Sequence, residues 1–295
     1  MVEPAQTRAP IERVPAHITR PPPPSVLPLR ATAGPAAPPP YDALPPARLP
    51  LPRAPALGNL RRHLRLAMWC AVGLVVGYAA LLLTLVALYR FVDPPTSTLM
   101  LGQRLAGTTI RHRWAPLERI SPNLRHAVIV SEDGSFCRHQ GVDWGELAEA
   151  IDNMRDGVAR GGSTITMQVV KNLFLWPSRS YVRKAIEIPM AYLIEAAWSK
   201  PRILEIYLNI AEWGPGIFGA EAASLHHFRK PPSLLSPREA ALLAVSLPNP
   251  LEREAGSPGP GTVRLADNLQ LRMRGSQAAA GCVRTPARGV TSGGR

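Results

Sequence analysis

An uncharged apolar run constrains this chain more than any other feature. The run, LAMWCAVGLVVGYAALLLTLVALY at residues 66–89, holds 24 residues without a charge. A bilayer core of about 30 Å needs about 20 helical residues, so the run is long enough to span a membrane with some tilt. A buried core helix is the alternative, but such helices rarely stay apolar on every face for this length. The sequence therefore predicts one transmembrane helix, which the DPP at 93–95 stops.

Basic residues flank this helix unequally. Arg61, Arg62 and Arg65 precede it, whereas Arg90 stands alone on the other side. Cytoplasmic flanks carry the excess of Lys and Arg in membrane proteins. We therefore expect a cytoplasmic N-terminus and an extracytoplasmic location for everything after residue 90.

The segments at the two ends of the chain have compositions that disfavour a packed core. Residues 1–60 hold 17 of the 33 prolines, so we expect a disordered cytoplasmic arm. Its PxxP-like segments suit recruitment of cytoplasmic partners. Residues 276–295 are predicted to be a disordered basic tail. Between them, residues 96–275 form one block of mixed polarity with no repeats, and this block is the predicted folded domain.

The charge and the cysteines limit the possible partners. A net charge of +13 favours a polyanionic partner: nucleic acid, anionic lipid or a phosphate-bearing substrate. The three cysteines do not suggest a disulfide scaffold. Cys70 lies in the apolar run, and a bridge between Cys137 and Cys282 is disfavoured because Cys282 lies in the predicted tail.

Helical periodicity dominates the folded block, so the domain is predicted to be mainly α. The predicted helices cover residues 124–133, 145–156, 163–174, 180–199, 199–214 and 236–248. Ser163, Ser199 and Ser236 are the expected N-caps, and Pro189 is expected to kink the fourth helix. Strand signals are weak, and only residues 107–117 are typical of a short extended piece.

The stretch SEDGSFCRHQGVDW places two acids side by side. Glu132 and Asp133 would point about 100° apart on a helix, so they cannot share one face of a site. One acid can project into a cleft while the other caps or hydrogen-bonds. Two solvated acids at a helix end are the simpler interpretation of the residue types alone.

Two basic stretches suit a phosphate. In RGGSTITMQVVKN, a glycine pair leads into a helix that carries Ser163, Thr164, Gln168 and Lys171. This is not a Walker loop, because the Gly-Lys-Ser/Thr step is missing. In RSYVRKAIE, Arg183 and Lys184 precede Glu187, as in a basic shelf for a pyrophosphate. An ordinary loop and a surface ion pair remain the alternatives.

A helix followed by a glycine-rich loop can line a groove. Tyr207, Asn209 and Glu212 are predicted on this helix, within ILEIYLNIAEWGPGIFGAEAAS. Ordinary helix packing followed by a turn is the alternative. Histidines are common metal ligands, so His226 and His227 could indicate a metal site, but no second ligand cluster at a suitable spacing accompanies them.

Taken together, these stretches resemble the peptidoglycan glycosyltransferase family, glycosyltransferase family 51, in its monofunctional form. The resemblance runs from about 124 to 250 and rests on several ordered motifs, not on one. It implies a lysozyme-like, mainly helical domain beside the bacterial inner membrane, on its periplasmic side. It also implies that the enzyme polymerises lipid II into β-1,4-linked glycan strands with inversion, and releases undecaprenyl pyrophosphate.

The resemblance assigns roles residue by residue. Glu132 matches the general base for the C4 hydroxyl of the acceptor sugar, and Glu187 matches a second essential carboxylate near the donor pyrophosphate. Asp133 is expected to orient the loop or a neighbouring cation. The expected substrate-binding residues are Asp133, Phe136, His139, Ser163, Thr164, Gln168, Lys171, Asn172, Arg183, Lys184, Tyr207 and Asn209.

One departure and one open point accompany the resemblance. The second motif usually has two glutamines, whereas this chain has Met167 before Gln168, which we interpret as a substitution at a supporting position. No metal site is certain, although Mg²⁺ or Mn²⁺ at the donor pyrophosphate is possible in the family chemistry. The expected partners are lipid II, the growing glycan strand, the membrane, and cell-wall synthesis or division proteins.

Competing functions are separable on the residues. A lysozyme-like lytic enzyme would also use a glutamate, but it needs a general acid for a sugar leaving group and has no need of a basic shelf at 171–184. A non-enzymatic membrane scaffold would not require the full set of acidic and basic motif residues. Nucleic-acid binding explains the charge but not the membrane span.

Overall fold

The computed structural model describes residue 34 and residues 57–155, 161–177 and 180–283. The chain divides into two units, Met1–Leu60 and Arg61–Arg295. Nearly all of the first unit, which coincides with the predicted Pro-rich arm, lies outside the described residues, but residues 57–60 at its end are helical. Residues 284–295, most of the predicted tail, also lie outside them.

The apolar run forms one continuous helix, α1, Leu57–Tyr89. Its residues Leu60–Tyr89 have a mean hydropathy of 2.4 and are long and apolar enough to cross a membrane. The helix ends just before Asp93, as the prolines predict. Its C-terminal end contacts the folded domain, because Trp198 Nε1 donates to the Val86 carbonyl at 2.7 Å and Arg202 Nε donates to the Tyr89 carbonyl at 3.0 Å.

The rest of the described chain is mainly helical, which confirms the predicted fold class. Its helices are α2 Thr98–Leu105, α3 Pro122–Glu132, α4 Trp144–Arg155, α5 Ile165–Phe174, α6 Tyr181–Ala197, α7 Lys200–Ile210, α8 Ala220–Phe228, α9 Pro237–Ser246 and α10 Pro260–Gly275. Short 3₁₀ turns cover Leu117–Arg119, Pro232–Leu234 and Gln277–Val283. Pro189 lies inside α6.

A small sheet accompanies these helices. Its strands are β1 Arg111–His112, β2 Glu212–Gly214 and β3 Ile217–Phe218, in the order β1-β3-β2. β1 pairs parallel with β3, with Arg111 opposite Ile217, and β2 pairs antiparallel with β3, with Glu212 opposite Phe218. The predicted extended piece at 107–117 therefore contains β1.

The core lies between α3, α5, α7 and α9. α3 packs against α9 and α10, and α5 packs against α6 and α7. Apolar residues on these helices are inaccessible to solvent, among them Leu124, Ile165 and Ile203. Burial of such side chains is worth about 1.5–3 kcal/mol each, so the ends of α3 and α5 are held firmly where the candidate site forms.

Several predicted boundaries were wrong. The N-cap of α5 is Thr164, not Ser163, because the Thr164 side chain accepts from Met167 N at 3.1 Å. The helix predicted to reach residue 214 ends at Ile210, so Glu212 lies on a strand. Pairing with β3 supplies backbone hydrogen bonds there, and this is a tertiary effect that helical periodicity does not report. Ser236 forms the predicted cap with a complete capping box.

The cysteine prediction was also wrong. Cys137 and Cys282 form a disulfide across 145 residues of sequence. The start of the predicted disordered tail, Gln277–Val283, is instead a 3₁₀ turn that packs against α3 and α7. Arg125 Nη1 donates to the Val283 carbonyl at 3.2 Å and helps to hold this turn. The composition of the tail does not predict these contacts, because they depend on packing against distant helices.

Candidate active site

Glu132 ends α3 and lies half-buried at the edge of a cleft. The buried run 127–130 anchors the end of the helix in the core. Glu132 Oε2 accepts from Gln168 Nε2 at 3.2 Å, and Oε1 accepts from Ser131 Oγ at 3.3 Å. Tyr207 OH donates to Gln168 Oε1 at 3.0 Å and so orients its amide group. The site thus brings together residues that lie far apart in the sequence.

Burial raises the pKa of Glu132. Hydrogen bonds from Gln168 and Ser131 and the charge of Lys171 oppose this rise, and the neighbouring Asp133 adds to it. A general base works best when its pKa approaches the working pH. The environment of Glu132 therefore suits a base that takes a proton from a hydroxyl group.

Asp133 borders the same cleft, but its side chain is engaged inside the protein. It is buried, and its carboxylate lies 2.9 Å and 3.0 Å from His139 Nε2. It also accepts from Ile165 N at 2.9 Å, at the first residue of α5. An acid at a helix N-terminus is electrostatically favourable. Asp133 therefore joins the loop after α3 to the start of the helix that carries Gln168.

Two cations contact a buried carboxylate on α6, and a third cation lies beside them. Glu187 is 2% exposed and forms an ion pair with Arg183, while Lys184 Nζ lies 3.4 Å from Glu187 Oε2. Lys184 Nζ also donates to Ser163 Oγ at 2.6 Å. Lys171, on α5, interacts electrostatically with both Arg183 and Glu132. The predicted basic shelf is thus assembled next to Glu132.

The pKa values of these three cations are lower than those of ordinary surface side chains. Burial, followed by the charges of Arg183 and Lys171, lowers the pKa of Lys184 to about 8. Burial and the charge of Arg183 also lower the pKa of Lys171, although Glu132 opposes this. A bound anion would stabilise such a cluster, because the positive charges of neighbouring cations destabilise one another.

Glu187 is better placed to position these cations than to touch a substrate. Its carboxylate is enclosed by Arg183 and Lys184, and almost none of it reaches solvent. Its place near a donor pyrophosphate stays a prediction, and its burial behind two cations does not favour direct contact with reacting groups. We therefore describe Glu187 as a positioning residue.

Several other predicted substrate-binding residues also lie inside the protein. Asp133, Phe136, Thr164, Asn172, Tyr207 and Asn209 are at most 9% exposed. Thr164 Oγ1 donates to the Gly141 carbonyl at 2.6 Å, and Asn209 exchanges two hydrogen bonds with the backbone of Ala115. His139 uses Nε2 on Asp133 and accepts from Gly141 N through Nδ1. The prediction of direct contact is corrected, because these side chains support the site.

The side chains that remain accessible form a shorter set. They are Glu132, Ser163, Gln168, Lys171, Arg183 and Lys184. Met167, at the unusual position of the second motif, is fully buried in the core. A thioether fills an apolar gap well, so Met167 agrees with a supporting position.

The cleft also contains residues that sequence reasoning missed. It has a volume of about 410 Å³. Its lining is Val130, Ser131, Glu132, Asp133, Gly134, Glu146, Glu149, Ala150, Gly161 and Arg272. Glu146 and Glu149 are three apart on α4, and that spacing could have marked them as one face. Arg272 comes from α10, and no local signal connects it with Glu132.

The carboxylates beside the basic cluster do not fit a divalent cation. Glu187 is saturated by two cations, and Asp133 is saturated by His139 and Ile165 N. A metal bound to them would have to break these contacts, so we derive no step through one. Mg²⁺ or Mn²⁺ bound by the substrate pyrophosphate itself stays a prediction.

In the part of the chain that the structure describes, one group of metal-ligating side chains converges, away from the cleft. It consists of His226, His227 and Glu254. His227 Nε2 contacts the Trp213 carbonyl at 3.0 Å, and His227 Nδ1 accepts from Gly256 N at 3.3 Å. Both ring nitrogens are therefore occupied by protein groups, and the cluster does not suit a metal.

Comparison with known proteins places this geometry in a family. The family model described as Transglycosylase matches residues 100–271. Three proteins named biosynthetic peptidoglycan transglycosylase are similar to this chain. That of Agrobacterium fabrum is 54% identical over 190 residues, 64% of this chain and 84% of its own length. That of Nitrobacter winogradskyi is 50% identical over 220 residues, covering 74% and 95%.

The third relative matches a larger share of this chain than the other two. The protein of Mesorhizobium japonicum is 52% identical over 233 residues, which are 77% of this chain and 97% of its own length. The family match and the mainly helical fold agree with the predicted lysozyme-like domain. The chain therefore belongs to the transglycosylase family and is a glycosyltransferase.

Proposed function

We propose that this enzyme synthesises peptidoglycan by polymerising lipid II into β-1,4-linked glycan strands, with inversion and release of undecaprenyl pyrophosphate. The observation that carries the proposal is the pairing of one half-buried glutamate, Glu132, with the cations Lys171, Arg183 and Lys184. A hydroxyl acceptor needs a base, and a pyrophosphate leaving group needs positive charge. The names of the relatives support the substrate class.

The chemistry follows from these groups. Glu132 takes the proton of the acceptor C4 hydroxyl as its oxygen attacks the anomeric carbon of the donor. The bond between that carbon and the pyrophosphate oxygen breaks, and the pyrophosphate leaves with the electron pair. Direct displacement inverts the anomeric centre from α to β. The cations stabilise the charge that develops on the leaving group, so no strong general acid is required.

A lytic reaction is the second candidate, because a glutamate with a raised pKa can also serve as a general acid. Cutting a glycan expels a sugar hydroxyl oxygen, a poor leaving group that needs protonation but no cationic cluster. The cluster around Glu187 therefore favours synthesis. The two reactions also differ in which substrate they consume.

The deciding experiment uses the detergent-purified full chain with labelled lipid II and, separately, with preformed glycan. We expect a ladder of lengthening glycan from lipid II and no shortening of preformed strands. Shortening of preformed strands without a ladder would replace the proposal with the lytic function. No change in either substrate would leave a scaffold as the function.

The basic cluster predicts a pH dependence. Lys184 is charged below a pKa of about 8 and loses its charge as the pH rises through that value. We expect the polymerisation rate to fall over the same interval, because anion binding weakens. Lys184→Arg keeps a positive charge at every assay pH, so the alkaline limb should move to higher pH. An unchanged limb in this variant would remove Lys184 from the leaving-group site.

We also propose that α1 crosses the inner membrane with the N-terminus in the cytoplasm and the catalytic domain in the periplasm. The basic flank at 61–65 supports this orientation. The Cys137–Cys282 disulfide supports it independently, because such bonds persist outside the reducing cytoplasm.

The packing of α1 indicates how deep the domain lies. Tyr78 OH donates to the Phe174 carbonyl at 3.4 Å, and four residues closer to the end of the helix pack in or against the domain core: Leu82, Leu85, Val86 and Tyr89. Residues 66–77 of the apolar run precede the first of these contacts. These 12 residues extend about 18 Å, which is less than the bilayer core of about 30 Å. The domain surface near Phe174 must therefore enter the outer leaflet.

A labelling experiment tests this depth. Trp176 follows α5 and is 41% exposed, so we expect a fluorescent label at Trp176→Cys to be quenched by brominated lipid chains in vesicles. Leu251, an exposed leucine after α9, provides the matched control position. Both variants carry Cys70→Ser so that α1 is not labelled. Weak quenching at Trp176, no stronger than weak quenching at Leu251, would show that the surface near Trp176 is not immersed.

A further inference from the structure

The disulfide lies five residues beyond the candidate base, and its second cysteine lies outside the matched family region. Cys137 belongs to the loop after α3, whereas Cys282 follows the end of the family match at residue 271. The bond therefore attaches a C-terminal segment of this chain to the first motif.

The loop that carries Cys137 connects Glu132 with the second motif. Asp133 in this loop accepts from Ile165 N, and the Gly141 carbonyl accepts from Thr164 Oγ1. Gly141 has φ +95°, and an added Cβ would lie 2.8 Å from the Ala191 carbonyl oxygen, so the loop fits closely against α6. The helix held in this way, α5, carries the Gln168 that binds the Glu132 carboxylate.

The segment that carries Cys282 is itself fixed to α3. Arg125 Nη1 donates to the Val283 carbonyl at 3.2 Å, and His126 Nε2 lies 3.1 Å from the Ser276 carbonyl oxygen. Both side chains come from the helix that ends at Glu132. The disulfide thus closes a ring that runs from α3 through the loop and the C-terminal turn back to α3.

We propose that Cys137 and Cys282 are positioning residues for the glycosyl transfer, because their bond holds the loop that sets Glu132 and Gln168 in register. Glu132 and Gln168 meet through a single hydrogen bond of 3.2 Å, so even a small shift of the loop relative to α3 would alter this contact, and the disulfide adds a covalent restraint to the loop's hydrogen bonds. A displacement of about 1 Å at a catalytic group can cost roughly 100-fold in rate. This inference rests on the proposed function of Glu132 as the base.

The test uses the full chain with Cys70→Ser, so that only Cys137 and Cys282 can react. A phosphine reduces the bond to two thiols, and the protein is then divided into two samples. In one, N-ethylmaleimide caps each thiol separately. In the other, dibromobimane bridges the two sulfurs again. The samples differ in whether Cys137 and Cys282 remain joined, and circular dichroism sets an assay temperature at which both are folded.

We expect the capped protein to lose roughly 10-fold in kcat with little change in KM for lipid II, and the bridged protein to recover most of the loss. The acid limb of the rate profile should move to lower pH in the capped protein, because looser packing hydrates Glu132. The charged groups that face Glu132 are Lys171, Asp133, Glu146, Glu149 and Arg272, and none of them is altered. A merely stabilising bond would leave both readouts unchanged.

The double variant Cys137→Ser/Cys282→Ser provides a second route that avoids bulky caps. We expect the same loss of kcat, together with faster hydrogen exchange at the Ile165 amide that Asp133 accepts from. Normal kcat and an unchanged pH profile in this variant would overturn the inference. Inactivity of the untreated Cys70→Ser protein on lipid II would instead count against the proposed function.

Discussion

Glu132→Gln is expected to lower the polymerisation rate by about 10²–10⁴-fold while leaving the fold intact. The amide is nearly the same size, and its oxygen can still accept from Gln168 while its NH2 group can donate to Ser131 Oγ, but it cannot take a proton from the acceptor hydroxyl. The measurement is the initial rate of glycan formation from lipid II with wild-type and variant protein. Lipid II binding should change little.

The stability of this variant separates a catalytic role from a structural one. Burial raises the pKa of Glu132 in the folded protein. At pH values above the pKa of this glutamate in the unfolded chain, the charge of Glu132 therefore destabilises the folded state. Replacement by a neutral amide should therefore leave the unfolding temperature near pH 7 unchanged or higher. A clearly lower unfolding temperature would make Glu132 structural. Glu252→Gln, at an exposed glutamate after α9, is the matched control and should keep full activity.

The second large effect is expected from Glu187→Gln. This change leaves Arg183 and Lys184 without the carboxylate that neutralises them, and removal of one partner from a buried ion pair costs about 3–5 kcal/mol. Both cations have some access to water, so the lower end of that range is expected for the free energy of unfolding. Activity should fall strongly, because the two cations no longer share one fixed geometry.

A double-mutant cycle distinguishes positioning from direct participation. If Glu187 acts by holding Arg183, then Glu187→Gln should cost much less activity in a protein that already carries Arg183→Gln. The double variant should also recover part of the lost stability, because the charge balance is restored. Full additivity of the two activity losses would contradict the positioning role and would favour direct contact of Glu187 with substrate.

The sequence predicted several of the contacts in the candidate site because its motifs are local. Glu132 follows a buried apolar run, and Lys171 and Gln168 lie on one short helix, so their spacing alone places them near each other. The predicted cationic shelf with an internal carboxylate was also correct in its partners, since Arg183 and Glu187 are one helical turn apart. The prediction failed at residues such as Phe136 and Asn209, because the residue type did not reveal whether the side chain faces the cleft or the core.

Packing between distant segments decided the rest. Glu212 lies on a strand and not on the predicted helix because it pairs with β3. Arg272 lines the cleft because α10 packs against α3. Cys282 met Cys137 because Arg125 and His126 hold the C-terminal turn against α3.

The sequence by itself determined the candidate membrane-spanning helix, the helical class, the family and the candidate base, since these depend on hydrophobic length, on period and on local motifs. Only the tertiary structure decided which polar side chains face solvent, how deep the domain lies along α1, and that a disulfide attaches the C-terminal turn to the first motif. Those properties depend on distances between residues far apart in the chain, and these distances are set by the packed core.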